Sequence, residues 1–206
     1  MKVQNEIFLG HQKLNFADAE VSGEELKIGN ESFYKISNFD GMRPFFMSIV
    51  SNSNHWMFIS SNGSLSAGRK DSNNALFPYY TDDKITESSE TTGSKTILLV
   101  ERDNKTCLWE PFSLKYAGAY KVKRNLYKNT YGNKLRFEEI NEDLGLSFSY
   151  EWNSSDKYGF VRHSELKNIS VVPAQIRLVD GIQNILPSGV EQALQNASSN
   201  LVDAYK

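Results

Sequence analysis

Arg69 and Asp71 stand one residue apart, shortly before the adjacent tyrosines Tyr79 and Tyr80. A permanently charged, forked guanidinium, a carboxylate and aromatic faces are the groups that hold a polyhydroxylated ligand, through paired hydrogen bonds and ring stacking. The chemistry expected of Arg69, Asp71, Tyr79 and Tyr80 is therefore carbohydrate binding or an interface beside it. The same residue types also form the charged end of a solvated hairpin next to a Tyr-rich strand, so composition alone leaves both readings open.

Other reactive side chains are poorly arranged for catalysis. His11, His55 and His163 lack the spacing of metal ligands, and Cys107 is the single cysteine, so neither a metal site nor an internal disulfide is expected. Glu138 and Glu139 are neighbours on a predicted strand and point to opposite faces, and Asp82-Asp83 would need a bent loop to converge on one glycosidic bond. There is no nucleophile elbow and no phosphate-cradling glycine loop. The expectation is a chain with no catalytic residues and no cofactor. An enzyme alternative is sugar epimerisation with His55 or His163 as general base and Glu165 beside it. A second alternative is a free-standing carbohydrate-binding module, which needs Trp56, Trp109 or Trp152 exposed; their apolar settings predict core positions instead.

The elements that must position these groups are mostly short strands. Trp56-Met57-Phe58-Ile59 reads as a buried strand, followed from Ser60 to Gly68 by small residues that allow a turn and close backbone approach. Between residues 7 and 60, brief apolar runs, including Leu14-Asn15-Phe16, alternate with turn formers such as Gly29-Asn30 and Asp40-Gly41, the pattern of an antiparallel meander. Lys95 to Arg102 has a continuous apolar centre, and Thr106 to Phe112 returns beside it. Tyr120 to Tyr131 carries Lys121, Lys123, Arg124 and Lys128, read as a solvated strand face.

Strict alternation appears from Leu146 to Trp152, with Leu146, Phe148, Tyr150 and Trp152 on one side. Tyr158 to Lys167 and Gln175 to Asp180 follow as further strands, and a second sheet must cover their apolar side. From Gly189 to Lys206 the period becomes helical, with Ser188 and Glu191 spaced as a capping box. The helical pattern runs to Lys206 without a terminator, the ending expected of a domain cut from a longer polypeptide.

The 206 residues carry 23 basic and 25 acidic side chains for a net charge of −2, in no long block of one sign, which argues against a nucleic-acid partner. The first ten residues lack the apolar core of a signal peptide and no run approaches a membrane span, so a cytoplasmic protein with no membrane partner is expected.

Two stretches resemble the N-terminal super-sandwich domain, of galactose mutarotase-like fold, found in glycoside hydrolases and phosphorylases of the cellobiose phosphorylase type. One runs from Ile59 through Asn62-Gly63 and Arg69-Lys70-Asp71 to Tyr80-Thr81-Asp82. The other runs from Leu146 to Trp152, through Phe160-Val161-Arg162 and Leu166-Lys167-Asn168, to Val179-Asp180-Gly181 and Ile185-Leu186-Pro187. The resemblance implies an all-β antiparallel super-sandwich over residues 1–188 and a C-terminal linker helix over 189–206. It further implies a downstream (α/α)-barrel on the same polypeptide that carries the catalytic carboxylates. In that family the domain lends loops to a sugar cleft or a homodimer interface, and the region of Arg69 would correspond. Ser64-Leu65-Ser66-Ala67 stands where the phosphorylases have a Gly- and Tyr-rich run.

Overall fold

The computed structural model describes residues 6–16, 19–78, 82–102, 104–198, 202 and 204. In chain order the strands are β1 (Phe8–Leu9), β2 (Gln12–Lys13), β3 (Ser22–Ile28), β4 (Glu31–Ser37), β5 (Phe46–Ile49), β6 (His55–Ser60) and β7 (Leu65–Arg69). They continue with β8 (Gly93–Arg102), β9 (Lys105–Trp109), β10 (Val122–Asn129), β11 (Lys134–Asn141), β12 (Leu146–Ser155), β13 (Gly159–Asn168) and β14 (Gln175–Gln183). Two short helices, α1 (Asp82–Ile85) and α2 (Gln192–Ala197), complete the elements used below.

Among the described residues every strand pairing is antiparallel. A six-stranded sheet runs in the order β13-β12-β11-β10-β4-β3, and two three-stranded sheets, β14-β8-β9 and β5-β6-β7, supply the other layer. Met57 and Ile59 of β6, Leu98 and Val100 of β8, and Phe137 and Phe148 of the large sheet belong to one hydrophobic cluster. The fold is thus an all-β antiparallel sandwich with a short C-terminal helix.

Register decides which side chains meet in the core. Phe137 lies opposite Leu126 and Tyr150, so the odd residues of β11 share the inner face with the even residues of β10 and β12. Glu139 and Arg124 are directly paired on that same apolar face. Glu139 is 2% exposed. Its carboxylate accepts from Arg124 Nε at 2.8 Å, from Trp109 Nε1 across the core at 2.7 Å and from the backbone N–H of Phe112 at 2.7 Å. Arg124 is therefore a buried partner, contrary to the solvated face expected of residues 120–131: β10 lies between β4 and β11, inside the sheet.

Phe112 holds φ 66, in the left-handed region that costs an L-residue about 1–2 kcal/mol. Its ring packs edge-on against Phe137, Phe148 and Tyr150, which retains it there. Two residues on, the N–H of Leu114 donates to Glu90 at 2.6 Å, so two carboxylates suspend the loop after β9.

The end of the sandwich at β13 and β14 is tied in a similar way. Arg162 on β13 makes two 2.8 Å bonds to Asp180 on β14, donates to Ser94 Oγ on β8 at 2.9 Å and lies over the Tyr150 ring. Burial by itself would raise the Asp180 pKa. The Arg162 and Thr96 hydrogen bonds outweigh it and hold the carboxyl below its usual value.

Several sequence expectations are corrected. The strand beginning at Gln175 does not extend the β12-β13 pair; it crosses to the other layer and pairs with β8 over its full length. Leu14–Phe16 forms no strand, and Leu65 to Gly68 belong to β7 rather than to a turn. The C-terminal helix starts at Gln192, not near Gly189, which has φ 82. Ser188 does not cap it; the N–H of Gln192 instead donates to Asn73 Oδ1 at 3.3 Å. Ser198, at φ −142, ends α2. Of the helical period expected over Gly189 to Lys206, Leu201 and Tyr205 lie outside the described residues.

Glu139→Ala leaves the Arg124 guanidinium buried without its carboxylate and is expected to cost about 3–5 kcal/mol. That corresponds to a drop in Tm of roughly 10 °C for a domain of this size. Arg124→Met with Glu139→Leu should recover much of the loss, and thermal melts of the three proteins check both statements. A carboxyl with a depressed folded-state pKa contributes stability above the ordinary carboxylate range and loses it as pH falls through the folded value. Asp180→Asn should therefore lower Tm at neutral pH and flatten the decline of Tm below about pH 4, as measured by melts across pH.

Candidate functional site

A pocket of about 380 Å³ opens where the Arg69 end of β7 and the His55 end of β6 meet the β12-β13 hairpin and the segment after β14. That volume is near the low end of small-molecule sites, which span about 300–1,000 Å³. Met57, Ala67, Phe77 and Trp152 form its buried floor. Arg69, His55, Asp156, Lys157 and Tyr158 supply its polar and aromatic rim, and Ile182 and Ile185 line another side. The segment carrying Ile185 is fastened by the N–H of Leu186 to Leu76 O at 2.8 Å.

Local chain geometry explains how these groups converge. Gly159, φ 74, ends the turn Asp156-Lys157-Tyr158, and a Cβ there would come within 2.9 Å of His55 Nε2. Glycine is required both by the backbone and by the histidine lying against it. The His55 ring meets Phe160 edge-on, and its Nδ1 is hydrogen-bonded to Ser53 Oγ. Tyr158 is 72% exposed at the hairpin tip, with the Lys157 ammonium over its ring. Gly68, opposite Trp56, lets the indole pack on the β7 backbone; a Cβ would meet Trp56 Cζ2 at 2.7 Å.

The structure separates the two charges of the Arg69-Lys70-Asp71 triplet. Lys70 has φ 59, and the Asp71 N–H donates to Arg69 O at 2.7 Å, which closes a three-residue turn. Arg69 stays on the pocket rim, its Nε and Nη2 each 3.4 Å from Asn54 Oδ1. Asp71 turns to the following segment, where its carboxylate accepts from the Asn73 N–H at 3.0 Å and from Asn74 Nδ2 at 2.8 Å. Asp71 thus shapes the 3₁₀ turn Ser72–Asn74 whose Asn73 receives α2. Tyr79 and Tyr80 lie outside the described residues.

His55, Asp156, Lys157, Tyr158 and Phe160 were not grouped with Arg69 on sequence alone. The readable signal was the polar run Ser154-Ser155-Asp156-Lys157 with a tyrosine directly before a glycine, which marks a hairpin tip displaying an aromatic ring. Trp109 and Trp152 are core residues, 2% and 3% exposed, and Trp56 is half-buried on the outer face beside Phe58. His163 and Glu165 share the outward face of β13. There Glu165 is bonded by Lys167 at 2.8 Å and approached by Arg136. The Lys167 hydrogen bond is the main reason its pKa lies below the usual value. The carboxylate placed beside a histidine base in the epimerisation alternative is thus engaged by two cations on an open strand face. Among the described residues no group of histidine, cysteine and carboxylate side chains is placed to hold a metal ion, and no helix is long and apolar enough to cross a membrane.

No protein-family model matches the chain, and a search of the curated proteins finds no similar sequence.

Gly159→Ala should strain the hairpin and displace His55. The expected cost is about 1–2 kcal/mol, read as a lower Tm, together with shifted His55 ring resonances in NMR spectra.

Proposed function

We propose that this chain is a carbohydrate-binding β-sandwich domain that is not itself catalytic, working within a larger glycoside hydrolase or phosphorylase. The observation that carries the reading is the pocket beside Arg69, with an aromatic and apolar floor under a rim of polar groups. A pyranose ring has one C–H-rich face suited to an aromatic surface and hydroxyls around its edge suited to such a rim. The resemblance of Ile59–Asp82 and Leu146–Pro187 to the N-terminal sandwich of the cellobiose phosphorylase type supports the same class. The partner expected on that basis is a downstream (α/α)-barrel of the same polypeptide, with self-association into a homodimer as a further role of the domain.

The non-catalytic part of the reading rests on how the carboxylates are engaged. Glu139, Asp180 and Glu138 each accept bonds from fixed neighbours that hold strands or sheets together. A carboxylate so committed lacks the room to flank a glycosidic bond with a second one.

Trp152 lines the floor, so sugar binding should alter tryptophan emission. Titration with a panel of mono- and disaccharides is expected to give saturable changes, and Tyr158→Ala should weaken them about tenfold through loss of a ring contact. The same sugars followed by polarimetry should interconvert anomers no faster than in buffer. A flat fluorescence and NMR response across the panel would sink the binding reading, and a clear rate above buffer would sink the non-catalytic one.

A further inference from the structure

The hydrogen-bonding character of the pocket narrows the class of sugar. Arg69 and Lys157 are donor-only side chains, and both line it. Asp156 is the only carboxylate among its described lining residues. Trp152 contributes ring surface to the floor, and its Nε1 is itself buried out of reach of the pocket.

Arg69 is under-engaged. No carboxylate among the described residues pairs with it, and both of its hydrogen bonds go to one neutral amide oxygen at 3.4 Å. By contrast Arg124, Arg162 and Arg177 each hold a carboxylate within 2.9 Å. Lys157 has only the Tyr158 ring as a described partner. A guanidinium fork and an ammonium above an apolar floor match an acceptor-only group attached to a ring with an apolar face.

We propose that the pocket takes a sugar bearing a carboxylate, a uronic acid. The carboxylate lies against Arg69 and Lys157, ring hydroxyls donate to Asp156, and the apolar face of the sugar ring rests on the floor that Trp152 helps to form. The inference rests on the carbohydrate reading above and adds selectivity for an anionic sugar.

The test compares D-glucuronate with D-glucose, which differ in the carboxylate, by titration of the full chain in NMR and tryptophan fluorescence. Glucuronate should bind about tenfold or more tightly at low salt, because hydrogen bonds between charged partners are the stronger ones. The gap should shrink between about 0.01 M and about 1 M salt, since rim charges are screened. R69Q and K157Q, each checked by thermal melt, should narrow it at low salt, and acetate should not reproduce the response. Equal binding of the two sugars overturns the anionic assignment and leaves the carbohydrate reading standing. A glucuronate preference unmoved by salt and by both variants overturns the roles given to Arg69 and Lys157. Binding of neither sugar overturns the assignment, and silence across the wider saccharide panel removes the carbohydrate reading beneath it.

Discussion

The buried carboxylate of Glu139 ties three parts of this molecule together. It takes one hydrogen bond from its own sheet, one from an indole in the opposite layer and one from the backbone of the loop between β9 and β10. Inside a sandwich the effective dielectric is low, so such a group fixes the arrangement of its partners when fully bonded and is strongly destabilising when a donor is withdrawn. The left-handed Phe112 depends on it directly, and the aromatic cluster of Phe112, Phe137 and Tyr150 depends on Phe112 in turn. The Arg162-Asp180 tie does comparable work at the β13-β14 end, so polar bonds as well as apolar packing fix the two layers relative to each other.

Much of this frame was legible in the chain. Alternation from Leu146 to Trp152 located the inner face of β12, and the apolar centre of Lys95–Arg102 located β8, because both signals arise from burial by adjacent strands. Glu139 was also within reach. It is in phase with Leu135 and Phe137 along β11, as Arg124 is with Leu126 along β10, so the alternation itself places an acid and a base on the core face. Reading residues 121–128 as a block of charge concealed this. The destination of β14 was less accessible, since nothing local to Gln175–Gln183 distinguishes pairing with β13 from pairing with the distant β8.

The candidate site was legible in part for a related reason. Arg69 was recognised by type, whereas the pocket around it is made by segments far apart in sequence, β6-β7, the β12-β13 turn and the stretch after β14. The spacing of Arg69 and Asp71 suggested joint action, but a positive φ at Lys70 sends them to different tasks. One faces the pocket and the other builds the turn that receives α2. Backbone handedness at a single non-glycine residue leaves little trace in composition, and this is why the pair looked like one unit.

The pairing of β14 with β8 also bears on how the chain assembles. Ile97-Leu98-Leu99-Val100 forms a strongly apolar strand whose first partner, β9, follows at once and whose second, β14, is the last strand of the described sandwich. Until Gln175–Gln183 leaves the ribosome, one edge of β8 presents unpaired backbone donors and acceptors next to apolar side chains, the arrangement most prone to wrong pairing between nascent chains. Closing that edge requires a long-range contact and is intrinsically slow. The crossing of the chain from β13 to β14 is thus a kinetic as well as an architectural step, and yield on synthesis should be governed more by the arrival of β14 than by the strength of the core it completes.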